Sequence, residues 1–315
     1  MARPVSRPAR PPGGRVSLAA MLAPRSLVCI AAVVATSAAC GGSDPPVGSI
    51  VLQSDRDGDH EIYVLDPDGG APHQLTDNDD IDANPDWSPD GSQLVFTSDR
   101  DGELEIFMMN ADGSGVVQLT DNEVDNGAAD WSPDGKRIVF DGFDADSILQ
   151  VYTMDVDAPS TTTTQLTTEG ANGKAVWSPD GEQIAFISRR DGQAEIYVMA
   201  ADGTGQVNLT HDASLDALAA WSTDGAQIAF MSDRSGDREI YTMAADGSDV
   251  VRLTHDPGAD SNPTWAHGDT EILFTSNRDG NLDVYSMTPD GSDVRNLTQH
   301  PAFDFVPDWT PVTIE

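Results

Sequence analysis

The sequence predicts an all-β fold, a six-bladed β-propeller of four-stranded blades whose ring is closed by the carboxy-terminal strand. Three observations carry this. The six tryptophans, Trp87, Trp131, Trp177, Trp221, Trp265 and Trp309, form one series spaced 44, 46, 44, 44 and 44 residues apart, and a fixed period of this size marks a repeat architecture. Apolar anchors keep fixed offsets inside a repeat: Trp87 to Phe96 is 9, Phe96 to Phe107 is 11, Phe107 to Leu119 is 12 and Leu119 to Trp131 is 12, and the same steps recur from Trp177, Trp221 and Trp265. The two ends of the chain are complementary. Ile50 to Ser54, Glu61 to Leu65 and His73 to Thr76 read as second, third and fourth strands without a first, and Phe305 to Trp309 reads as a lone first strand. Pairing these ends removes the open sheet edges, whereas a solenoid needs capping repeats.

Each blade follows from local chemistry. After Trp177, Ser178-Pro179-Asp180-Gly181 places Pro and then Gly where a tight turn needs a fixed and then a positive φ. Gln183 to Ser188 and Glu195 to Met199 are β-branched and aromatic runs, Ala201-Asp202-Gly203 is a second hairpin turn, and Val207 to Thr210 is the outer strand. An indole between blades removes about 150–250 Å² from water, and its truncation to Ala costs about 3–5 kcal/mol. The Trp series is therefore read as structural.

Residues 1–39 read as a secretory signal. Arg3, Arg7, Arg10, Arg15 and Arg25 precede an apolar run from Leu27 to Ala35 with no acid among them. The 13 residues from Leu27 to Ala39 fall short of the roughly 20 that a spanning helix needs. Met21 offers an alternative start. The run ends in Ser37-Ala38-Ala39-Cys40-Gly41-Gly42-Ser43, similar to a bacterial lipoprotein signal with Cys40 as the lipidated residue, although Ser37 stands where such signals carry Leu. Cleavage after Ala39 without lipidation is the alternative. Residues 40–47 are read as a flexible tether and 48–315 as the propeller. With Cys29 removed, Cys40 is the single thiol and no internal disulfide can form.

The charge excludes one class of partner. With 53 Asp plus Glu against 17 Lys plus Arg, the formal net charge is -36, and a nucleic-acid binder needs a basic footprint. Removing residues 1–39 takes away five bases and no acids. Phosphate loops and dinucleotide fingerprints are absent from the sequence.

The repeated Trp-Ser-Pro-Asp-Gly, Asp-Arg-Asp-Gly and Ala-Asp-Gly turns resemble the TolB-type, or PD40, propeller repeats over residues 48–315. TolB proteins carry an additional amino-terminal α/β domain with no counterpart in this sequence. Prolyl-peptidase-type enzymes have a similar propeller with a hydrolase domain, but no Gly-x-Ser-x-Gly elbow occurs here. Oligogalacturonate lyases use related blades with a central metal and convergent histidines.

Four polar patterns are candidate sites. Five residues before each Trp stands Asp82, Asn126, Asn172, Asp216, Asp260 or Asp304. These Asx side chains either cap the loop that leads into the strand or form a polar channel mouth for a cation or a basic peptide. Arg56, Arg100, Arg190, Arg234 and Arg278 are each followed five residues later by Glu61, Glu105, Glu195, Glu239 or Asp283, and where the Arg is missing the acid is Gln150, which suggests Arg–carboxylate pairs. Asp55, Asp57 and Asp59, and again Asp99, Asp101 and Glu103, have a spacing that a Ca²⁺ loop shares, but an Arg interrupts each and the ligand set is incomplete. His211, His255 and His300 lie nine or ten residues before a Trp. That position is three strand spacings of about 4.8 Å from the inner strand, so they should diverge rather than meet at a metal.

The expected function is that of a non-enzymatic cell-envelope protein, exported and lipid-anchored, monomeric and without an obligatory cofactor. Its channel face would bind a protein or peptide. The alternative is a metal-dependent carbohydrate-binding or polysaccharide-degrading protein.

Overall fold

In a computed structural model, which describes residues 48–312, the chain forms six four-stranded antiparallel sheets. The innermost strands are Asp82–Trp87, Asn126–Trp131, Asn172–Trp177, Asp216–Trp221, Asp260–Ala266 and Asp304–Thr310. Each touches the innermost strand of the next blade, so the six make a closed ring. Asp304–Thr310 pairs antiparallel with Ser49–Ser54, Trp309 opposite Ile50, and completes the first blade. The expected propeller and its closure by the carboxy-terminal strand are thus observed. The signal segment, Cys40, the tether and residues 313–315 lie outside the described residues.

The core sits between blades. Trp87 packs on Val51 and Ile62 of the preceding blade as well as Leu94 and Phe96 of its own, and Trp131, Trp177, Trp265 and Trp309 repeat this at their seams. Second strands such as Gln93–Ser98 are buried almost throughout, because both faces of each blade are covered.

The outer strands are shorter than the sequence suggests. His73–Gln74 and Val207–Asn208 have two residues each, against the expected reach to Thr76 and Thr210. A repeated Leu-Thr step explains the difference. The Leu N–H donates to a third-strand carbonyl at 2.8 Å in all six blades. The following Thr then turns inward, and its Oγ1 accepts a third-strand N–H at 2.8–3.2 Å. A hydroxyl thereby replaces the next rung of the ladder. Asn208 and Asn296, in the sequons Asn-Leu-Thr, lie in these outer strands.

Every innermost strand is bulged at the third residue before the Trp position. Asn84, Ala128, Lys174, Leu218, Asn262 and Val306 have φ between 49° and 59°, and the pairing register shifts there. Such a bulge re-aims side chains; here all six line the central cavity.

Candidate functional site

The Asx residues singled out from the sequence do not line this cavity. Asp82, Asp216, Asp260 and Asp304 have no exposed surface, and Asn126 and Asn172 almost none. The repeating arginines cover five of the six. Arg56, Arg100, Arg234 and Arg278 lie 2.7–3.0 Å from Asp304, Asp82, Asp216 and Asp260, and Arg190 lies 3.2 Å from Asn172 Oδ1. Each Nε also donates to the Ser two residues earlier at 2.8–2.9 Å. Each guanidinium rests 4.6–5.2 Å from a third-strand ring, a favourable place for a cation. The arginine thus folds back over its own blade's first strand.

This replaces the Arg–Glu pairing suggested by the five-residue spacing. Glu61 instead accepts the Asn78 N–H at 2.6 Å, Glu105 the Asn122 N–H at 2.8 Å, and Glu195 the Thr210 hydroxyl at 2.6 Å. Gln150 does the same work, accepting from Thr167 at 2.7 Å and Asn172 at 2.9 Å. Burial pushes the Glu61 carboxyl up to about 7, against the hydrogen bonds from Thr76 and Asn78. A buried carboxylate without a cation is costly, and the one blade that lacks the arginine carries the neutral Asn126.

The cavity itself holds about 380 Å³. Its wall begins at the bulge ring and continues to Pro89, Pro133, Pro179 and Thr223, so it reaches the face made by the Trp-Ser-Pro-Asp-Gly turns. Those turns interlock around the rim: a Cβ added at Gly181 would lie 3.2 Å from Pro133, and one at Gly225 3.3 Å from Pro179. Thr223 takes the Pro position in its blade, and its N–H donates to Asp269 of the next blade at 2.7 Å.

Three carboxyls give the cavity its chemistry. Asp308, Asp86 and Asp130 precede a Trp and accept the backbone N–H of Trp87, Trp131 and Trp177 on the next blade at 3.0, 2.9 and 2.8 Å. Burial raises all three, Asp130 to about 8 and Asp308 to about 6, and mutual repulsion adds to the rise at Asp86 and Asp130. Lys174 extends from the bulge ring to Asn84 two blades away, its Nζ 2.9 Å from Oδ1. Burial lowers this amine against the opposing pull of Asp141. Asp141, behind Lys174, accepts that residue's N–H at 2.8 Å and is pushed by burial up to about 7. Sequence reading passed over these residues, although the Asp-Trp dipeptide at 86–87, 130–131 and 308–309 is visible in it.

The other predicted groups lie elsewhere. Asp57, Asp59 and Glu61 bring carboxylate oxygens within 4.8 Å of one another, an oxygen set of the type a hard cation prefers. Asp57 is occupied by Gln74, and Asp101 by Gln118. His211, His255 and His300 are exposed, and among the described residues they do not form a metal-sized group.

Fold and site define a ring-closed β-propeller with a carboxyl-bearing cavity on its axis. The chain belongs to the TolB beta propeller domain family (PD40), which matches residues 35–169 and 149–255. A curated relative, the Tol-Pal system protein TolB of Geobacter sulfurreducens, is 43% identical over 54 residues, 17% of this chain and 12% of that protein. The crystal structure of TolB from Acinetobacter baumannii superposes with a TM-score of 0.74 at 22% identity, over 84% of this chain and 66% of that one. Oligogalacturonate lyase from Vibrio parahaemolyticus superposes with a TM-score of 0.56 at 15% identity, over 80% of this chain and 74% of that one. At these identities the structural likeness speaks for the fold alone. The chain spans about two thirds of the first structure and a small part of the curated relative.

Proposed function

We propose that this chain is a non-enzymatic binding protein of the cell envelope that receives a segment of a protein partner in its axial cavity. One observation carries the reading. The six inner strands converge on a cavity of about 380 Å³ whose wall bears Asp86, Asp130 and Asp308 and whose rim bears Pro89, Pro133 and Pro179. A concave, partly apolar site with a few placed polar groups suits an inserted side chain or loop apex. The closed ring holds those groups without ordering on binding. The four carboxylates of the Asx ring are buried and each is covered by an arginine, which leaves the cavity wall as the acidic surface open to a partner. Membership of the TolB propeller family and the relative named for the Tol-Pal system support a protein partner in the envelope. Export through the signal at residues 1–39, with lipidation at Cys40, would place the propeller there.

The test is site-specific photocrosslinking in the envelope fraction. A crosslinker at Thr223, on the rim, should give one discrete protein adduct that Asp86→Asn with Asp130→Asn weakens. A crosslinker at Val207, on the exposed outer strand, should not. Equal adducts from both positions would sink the proposal.

A further inference from the structure

The ring is not stitched in the same way all round. Three consecutive seams are bridged by a carboxyl on the cavity wall: Asp308 to Trp87, Asp86 to Trp131 and Asp130 to Trp177. In the other three blades the residue before the Trp is Val176, Ala220 or Thr264, which offers no carboxyl. All the acid therefore lies in one half of the wall, on neighbouring strands, with each carboxyl spanning a blade boundary. We propose that this half of the ring is a proton-dependent seam, closed while the three carboxyls share protons and loosened when all three ionise and repel one another along the wall.

The groups facing the seam are few. The strand Asp82–Trp87 contributes Asp86 and Asn84, Asn126–Trp131 contributes Asp130, and Asp304–Thr310 contributes Asp308. Asn172–Trp177 contributes Lys174, whose ammonium is held on Asn84 rather than on an acid. Asp260–Ala266 contributes Asn262 and Thr264, the latter 3.5 Å from Asp308 Oδ1. Asp216–Trp221 places Leu218, Ala219, Ala220 and Trp221 on the wall, none of them acidic or basic. Behind the wall, Asp141 lies against the Lys174 N–H, Arg137 rests 4.6 Å from the Trp177 ring, and His267 packs 5.0 Å from the Trp309 ring. Among the described residues neither Lys174 nor Arg137 hydrogen-bonds to the three acids, so bound protons limit their repulsion. Their raised titration is consistent with this: burial holds the protons on, and Asp86 is pushed further by both neighbours. Loss of those protons leaves three half-buried like charges on the wall of one cavity, where each raises the cost of ionising the next. The inference concerns the ring itself and stands whether or not the cavity takes a protein segment.

Hydrogen exchange of the full chain labelled with ¹⁵N-tryptophan reads each seam separately, because the six Trp amides fall one to a blade. Between pH 5 and pH 8.5, protection of the Trp87, Trp131 and Trp177 amides, corrected for intrinsic exchange, should fall at least about tenfold relative to Trp265, the equivalent of one pKa unit. Asp130→Asn keeps an acceptor for the Trp177 N–H and removes the titration. It should flatten the pH dependence at Trp177 while Trp87 still responds. Should that variant fail to fold, Asp308→Asn, read at Trp87, makes the same comparison. Protection that falls equally in all six seams, or a pH response at Trp177 or Trp87 that survives its own Asn substitution, overturns the proposal.

Discussion

Arg100 sets its Nη2 2.8 Å from both carboxylate oxygens of Asp82, whose side chain has no exposed surface. The arginine is 25% exposed and stacks on Phe107, so its charge is solvated on one side, while the buried acid takes its counter-charge from it and a further hydrogen bond from Asn78 Nδ2 at 2.8 Å. Removing one member of a buried pair leaves an uncompensated charge, which costs about 3–5 kcal/mol. Arg100→Ala should therefore destabilise the propeller by about 3 kcal/mol in urea unfolding. The double variant Arg100→Ala with Asp82→Asn should recover a good part of that. Equal losses in the single and double variants would show that the guanidinium acts by packing alone.

How much of this was legible in the sequence differs between fold and site. The blades follow from Trp spacing and turn chemistry, because a buried indole and a positive-φ glycine are demands that few residues meet. Ring closure follows from a missing first strand at one end and a spare one at the other. The partner of Arg100 does not follow: the sequence distance to Glu105 is five and to Asp82 is eighteen, and only the folded hairpin brings the second close. The bulge ring is hidden for another reason. Asn84, Ala128, Lys174, Leu218, Asn262 and Val306 share a backbone conformation and almost no side-chain chemistry, since the strand partners impose the bulge. The cavity wall could not be drawn without it.

Glycine at the second hairpin turn is predicted to matter for contact as well as for φ. Gly113 has φ +80°, and a Cβ there would lie 2.5 Å from the Leu75 carbonyl oxygen of the preceding blade, a backbone atom that cannot swing away. Gly102 has φ +115° with nothing within 4 Å. Gly102→Ala should cost about 1 kcal/mol for backbone strain, and Gly113→Ala about 1–3 kcal/mol more as the seam is forced apart. Thermal unfolding of the two variants side by side checks the order, and equal shifts would contradict it.

Ring closure predicts the consequence of deleting residues 304–315. The deletion removes Trp309, Asp308 and the strand paired with Ser49–Ser54, and it exposes a strand buried along its whole length. An unprotected apolar edge is a template for pairing with another chain. The shortened protein should lose cooperative unfolding and associate, as seen by light scattering. A monomer with unchanged melting would rule out closure through this strand.

Asp141 makes the clearest statement about pH. Its carboxyl is buried, one oxygen accepts the Lys174 N–H, the other has no partner, and burial pushes it up to about 7. An unfolded aspartate titrates near 3.9. Below about pH 4 both states hold the proton and Asp141 imposes no penalty. Between about 4 and 7 only the folded state holds it, so stability falls by up to about 1.4 kcal/mol per pH unit, and above that the loss is complete and level. Asp141→Asn cannot titrate and keeps an acceptor for Lys174. Other acids contribute alike to both proteins, so the difference between their unfolding free energies isolates this residue. From pH 4 to pH 8 that difference should move toward the variant by about 3–4 kcal/mol. Lys174, whose amine is lowered by burial, works in the opposite sense at higher pH, which is why the comparison stops at 8. Parallel curves for the two proteins would mean that Asp141 is ionised in the fold throughout, with Lys174 as its counter-charge.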